Sequence, residues 1–175
     1  KDLSVLDLSG NLLNGNIPDS LSELSSLTQM LLHSNTINGD LPSWIGELTQ
    51  LERLYLSNNS LTGGIPENFK ELKNLTILYL SNNSLTGGIP ANFENLEKLS
   101  YLLLDNNSFE GNIPVGIGKL ENLVALTLNA NLLSGDMPSE IFTLEKLEYL
   151  LLNNNSLSGI IPNNISFLWG FGVLG

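Results

Sequence analysis

Cysteine is absent from this chain of 175 residues. No disulfide can staple it, no thiolate can hold a metal, and no cysteine nucleophile is on hand. Secretion is still compatible with that absence. Basic charge is scarce as well: Lys and Arg number 7 against 18 Asp and Glu, a formal net charge of −11. Nucleic acid and anionic membranes are gripped by clustered Lys and Arg, so this balance argues against both as partners. The acidity serves solubility or steers a basic partner. Histidine occurs once, as His33, with Ser9, Ser57 and Asp7 in related positions of the sequence. A serine–histidine–carboxylate reading of that group lacks an oxyanion hole and a pocket. Glu67, Glu71, Glu94 and Glu97 are placed on an outer face rather than in a cleft, so paired-carboxylate hydrolysis finds no support. No metal-ligand spacing and no phosphate-cradling glycine loop is present, so no metal, cofactor or catalytic residue is assigned. Long apolar runs are missing too. The closing stretch from Phe167 to Leu174 is far shorter than the roughly 20 residues of a membrane span.

Proline is absent from every position but one register. Pro18, Pro42, Pro66, Pro90, Pro114, Pro138 and Pro162 are 24 residues apart, and Gly15, Gly39, Gly63, Gly87, Gly111, Gly135 and Gly159 keep the same step. So do Asn11, Asn35, Asn59, Asn83, Asn107, Asn131 and Asn155. Seven copies without an insertion predict a solenoid in which each repeat buries its apolar face only against its neighbours. The expected organisation is one array over residues 1–175, seven 24-residue repeats plus a partial terminal one. The chain begins in mid-repeat, which points to missing upstream sequence.

Residues 51–74 stand for all repeats. Leu54-Tyr55-Leu56 alternates with period two and predicts a short strand with one buried face. Asn59 carries donors and an acceptor for the turn that follows, and stacked copies form a ladder. Leu61 and Ile65 return to the core, Gly63 permits a left-handed backbone, and Pro66 opens a helical turn whose inner face is Phe69 and Leu72. Strands about 4.8 Å apart predict a parallel sheet on the order of 30 Å across.

The pattern LxxLxLxxNxLxGxIP, running from Leu51 to Pro66, resembles the plant-type leucine-rich repeat of receptor-kinase ectodomains, receptor-like proteins and polygalacturonase-inhibiting proteins. The resemblance covers Leu3 to about Leu168. It implies an α/β repeat solenoid, a right-handed superhelix with a parallel sheet on its concave face and short 3-10 or helical turns on its convex face. It also implies receptor-like recognition or inhibition of a foreign enzyme rather than catalysis. The family's cysteine-paired caps are missing here.

Side chains between the core leucines are expected on the concave face. One column reads Asp7, Leu31, Tyr55, Tyr79, Leu103, Thr127, Leu151, and its neighbour Val5, Gln29, Arg53, Ile77, Tyr101, Ala125, Tyr149. All four tyrosines fall in these columns. Tyrosine combines a large apolar ring with a polar tip, which suits docking of a partner. The candidate ligand-binding set is Leu31, Arg53, Tyr55, Ile77, Tyr79, Tyr101, Leu103 and Tyr149; β-propensity of an exposed sheet is the competing explanation. Asn58, Asn74, Asn82, Asn106, Asn154 and Asn164 open Asn-x-Ser/Thr sequences, acceptors for N-linked glycans in a secreted protein. Four of them, Asn58, Asn82, Asn106 and Asn154, belong to the recurring Asn-Asn-Ser turn, which explains them without any sugar, whereas Asn74 and Asn164 do not come from that turn and are the stronger candidates.

The leading expectation is a non-enzymatic extracellular or cell-surface module that binds a protein or peptide on the concave sheet. The alternative is a structural glycoprotein whose uncapped ends stack head to tail into a fibre or matrix. Binding to an ice lattice would ask for a flat Thr-rich column. The column Asn14, Asn38, Thr62, Thr86, Glu110, Ser134, Ser158 is mixed.

Overall fold

The computed structural model describes residues 2–163. Asn164 and the apolar stretch from Phe167 to Leu174 lie outside the described residues.

Each repeat contributes one strand of three residues: Val5–Asp7, Gln29–Leu31, Arg53–Tyr55, Ile77–Tyr79, Tyr101–Leu103, Ala125–Thr127 and Tyr149–Leu151. They are short because the apolar alternation lasts only that long before the asparagine turn. All seven pair in parallel, in chain order, into one sheet. The register advances one repeat per strand, so Leu54 lies opposite Leu78 and Tyr55 opposite Tyr79. Met30, Leu54, Leu78, Leu102 and Leu126, the middle residues of the five inner strands, are fully buried, and Leu6 and Leu150 at the two edges are partly so. Their flanking residues form the outer face of the sheet.

After each proline from Pro18 to Pro138 the chain makes a five-residue 3-10 turn, from Asp19–Glu23 to Ser139–Thr143. Pro66 is extended, with φ −61° and ψ 139°, and its carbonyl accepts the Phe69 N–H at 3.1 Å. Leu72 N–H then bonds the Phe69 carbonyl at 3.0 Å, the i to i+3 step of a 3-10 turn. Ile45, Phe69, Phe93, Ile117 and Ile141 stack as one buried column behind the sheet. A single apolar core runs from Ile17 to Leu147. No helix among the described residues is long and apolar enough to cross a membrane.

The sequence reading places no strand between the asparagine and the proline, yet the structure has one in every repeat, such as Thr36–Asp40, Ser60–Thr62 and Ser108–Asn112. These pair into separate three- and four-stranded parallel ribbons. Leu61 is buried between exposed Ser60 and Thr62, so the period-two signal was present. The glycines that follow hide it.

The asparagine ladder bridges repeats as well as closing turns. Asn59 Nδ2 donates to the Leu56 carbonyl in its own repeat at 3.1 Å and to Leu32 in the preceding one at 3.0 Å. Its Oδ1 accepts the Ile37 N–H at 3.0 Å. Asn35, Asn83, Asn107, Asn131 and Asn155 repeat the arrangement. Asn11 bonds only the Leu8 and Ser9 carbonyls of its own turn.

The residue before each ladder asparagine is left-handed. Ser34, Asn58, Asn82, Asn106, Ala130 and Asn154 have φ between 53° and 57°. Alanine tolerates this region poorly, at a cost of roughly 1–2 kcal/mol, while glycine pays part of that back in chain entropy. Ala130→Gly is therefore expected to stabilise the protein by about 0.5–1 kcal/mol and raise its melting temperature by about 2–3 °C. A drop on calorimetry would overturn this account of the column.

Candidate binding face

The strand register brings most of the candidate binding set together. Tyr55 and Tyr79 are direct partners on adjacent strands, with ring centroids 4.6 Å apart and planes at 75°. This edge-to-face geometry aims the positive rim of one ring at the negative face of the other. The His33 ring lies 6.0 Å from Tyr55, tilted by 53°. Leu31 and Leu103, half-buried, flank the pair on the next strands. In the neighbouring column Arg53 faces Ile77, and Ile77 faces Tyr101. Tyr149 stands apart. Buried Ala125 separates it from Tyr101, and Tyr149 is 60% exposed.

Loss of hydration pushes the Tyr79 phenol above its ordinary range, with Tyr55 and Tyr101 adding to the shift. Asp7 is held below the usual carboxylate range, first by the Ser9 hydroxyl, which donates at 2.6 Å, and then by the Ser9 backbone N–H. Those bonds occupy the groups a catalytic triad would need. His33 Nδ1 instead lies 3.3 Å from Ser34 Oγ. Among the described residues no three His, Asp or Glu side chains are grouped to hold a metal ion.

One polar cluster escaped the sequence reading. Asp105 Oδ1 accepts hydrogen bonds from Ser81 Oγ and Thr127 Oγ1, both at 2.6 Å, and Oδ2 accepts from Asn106 Nδ2 at 3.0 Å. Ser81 and Thr127 are buried, unusual for hydroxyls on a sheet surface. The cue was Ser81 and Asp105 one repeat apart in a single column, next to Thr127.

The glycan candidates divide by environment. Asn58, Asn82, Asn106 and Asn154 are exposed along one rim of the sheet. Asn74 is half-buried, its Nδ2 donating to the Thr49 carbonyl at 3.0 Å and its Oδ1 accepting from Lys98 Nζ at 2.7 Å.

A family model described as "Leucine rich repeat" matches residues 28–85 and 49–109, and a second of the same description matches residues 2–24 and 146–168. A plant peptide hormone receptor, RGFR1, solved in complex with RGF2, superimposes with a TM-score of 0.94 at 38% identity over 95% of this chain and 27% of that one. The chain thus spans about a quarter of that relative's length. The leucine-rich repeat ectodomain of the receptor kinase SOBIR1 from Arabidopsis thaliana matches at 34% identity with a TM-score of 0.70, over 74% of this chain and 71% of that one. A plant ice-binding protein matches at 32% identity with a TM-score of 0.81, over 94% of this chain and 52% of that one. A comparison with curated protein sequences returns no match.

Proposed function

On the premise that the chain belongs to the leucine-rich repeat family, we propose that it is an extracellular, non-enzymatic module that binds a protein or peptide ligand on its seven-stranded face. The observation that carries the reading is the Tyr55–Tyr79 pair, flanked by Leu31, Ile77, Tyr101 and Leu103. Large rigid rings gain contact area at small entropic cost when a partner covers them. Several similar structures are receptor ectodomains solved with peptide hormones, which supports the same class of ligand here. Replacing Tyr55 and Tyr79 together by Ala is expected to weaken binding to a selected peptide by roughly 100-fold or more, since each buried aromatic anchor is worth about 2 kcal/mol. The melting temperature is expected to change little, because neither ring is in the core. Unchanged affinity, measured by isothermal calorimetry, discards the face as the site.

Asn58, Asn82, Asn106 and Asn154 are proposed to carry N-linked glycans along the rim. Asn74 is proposed to stay bare, because both ends of its amide are already bonded. Peptide mapping of protein secreted from a eukaryotic host reads this directly.

A second reading, binding to ice, rests on the ice-binding relative and on the exposed Ser60, Thr62 and Thr86 of the small ribbons. Absence of ice-recrystallisation inhibition by the purified protein removes it.

A further inference from the structure

Arg53 is the only arginine in the sequence. It lies on the seven-stranded face, exposed, between Gln29 and Ile77 in its column and two residues before Tyr55 on its strand. Its guanidinium has no partner: the one ion pair among the described residues is Lys119–Glu94, on the turn side, and no side-chain hydrogen bond reaches Arg53. Two carboxylates of the face are already engaged, Asp7 by Ser9 and Asp105 by Ser81, Thr127 and Asn106, and exposed Glu52, next to Arg53 in the chain, forms no ion pair with it. A chain with 18 acidic residues thus leaves its single fork of five donors unpaired, next to its aromatic pair.

We propose that Arg53 is the specificity-determining residue of the face. It selects a peptide that carries an acidic side chain two residues from an apolar or aromatic one. This rests on the binding reading above and names the ligand chemistry. Alternate residues of a strand lie roughly 6.6–6.8 Å apart and point to the same side, and an extended ligand has the same repeat. A ligand ring resting on Tyr55 and Tyr79 therefore places its side chain two positions away over Arg53. Guanidinium and carboxylate match as two parallel hydrogen bonds, and the apolar groups beside them exclude water once the ligand is seated.

The test is selection from a displayed library of internal random peptides against the whole wild-type chain and against Arg53→Gln. An acid at fixed offset from an apolar residue is expected with the wild type and lost with the variant. The selected peptide is expected to bind Arg53→Gln roughly 10- to 100-fold more weakly, with Arg53→Lys in between. Unchanged melting of the variants checks that the fold is intact. Peptides that need Tyr55 and Tyr79 but lack the acid, or bind Arg53→Gln equally well, overturn this inference and leave the binding face standing. If no selected peptide depends on Tyr55 and Tyr79, both fall.

Discussion

Replacing Asn131 by Ala is expected to lower stability by about 3–5 kcal/mol and the melting temperature by roughly 10 °C. Asn131 is 6% exposed and ties its own turn to the preceding repeat. Its Nδ2 donates to Leu128 at 3.0 Å and Leu104 at 3.1 Å, and its Oδ1 accepts the Phe109 N–H at 2.9 Å. Alanine strands the Phe109 N–H where water does not reach and takes one of two bonds from each carbonyl, Leu104 keeping Asn107 Nδ2 at 3.1 Å and Leu128 keeping Asn155 Nδ2 at 2.9 Å. The stranded N–H costs about 1–3 kcal/mol and each carbonyl bond lost adds roughly 0.5–1.5 kcal/mol, which combine to the figure above. Aspartate would be worse, because it supplies no donor and sets charge against two carbonyl oxygens. The contrast is Asn11→Ala, which removes only two exposed bonds within one turn and is expected to cost less than about 1 kcal/mol. Equal losses at the two sites, measured by urea unfolding, would mean the ladder does not tie repeats together. Hydrogen exchange should show the damage concentrated near Phe109, since stability in such an array is carried between neighbours.

Phe93→Ala is the second large effect, again about 3–5 kcal/mol. Phe93 is fully buried in the 3-10 turn Ala91–Asn95, beside Phe69 in the column behind the sheet. The turn is anchored at Pro90 and cannot collapse far, so most of the vacated volume stays empty. Phe93→Ile tests the mechanism, because Ile45, Ile117 and Ile141 fill the same place in other repeats. It is expected to cost about 1–2 kcal/mol. A Phe93→Ile variant as unstable as Phe93→Ala would point to a specific ring contact instead of lost volume.

The repeat unit was legible because every constraint recurs at the same step. Leucines at the strand centres, the asparagine turn and the proline-led turn each read correctly from residues 51–74 alone. The ribbon strands such as Ser60–Thr62 did not, because Gly63 and Gly64 make that stretch look like a plain loop. The candidate face was read as two columns, and the register joined most of them. Tyr149 was grouped with the other tyrosines by column, yet Ala125 and Thr127 interpose a strand of buried side chains. Asn74 and Asn58 look alike as glycan acceptors in sequence. Their difference lies in Thr49 and Lys98, which approach Asn74 from the repeats on either side.

By itself the sequence determined the solenoid, its buried columns and the exposed columns proposed here as a binding face. Those follow from apolar periodicity and from the backbone limits of proline, glycine and asparagine, which act within one repeat. Only the tertiary structure decided that Tyr55 meets Tyr79 edge-on and that Asp105 is spoken for by Ser81 and Thr127. It also decided that Arg53 is left without a partner. Each of these depends on side chains 22 to 24 residues apart, brought into contact by stacking. Local pattern places such residues in neighbouring rows, but their bonds are set by distances and angles that appear only when the repeats pack.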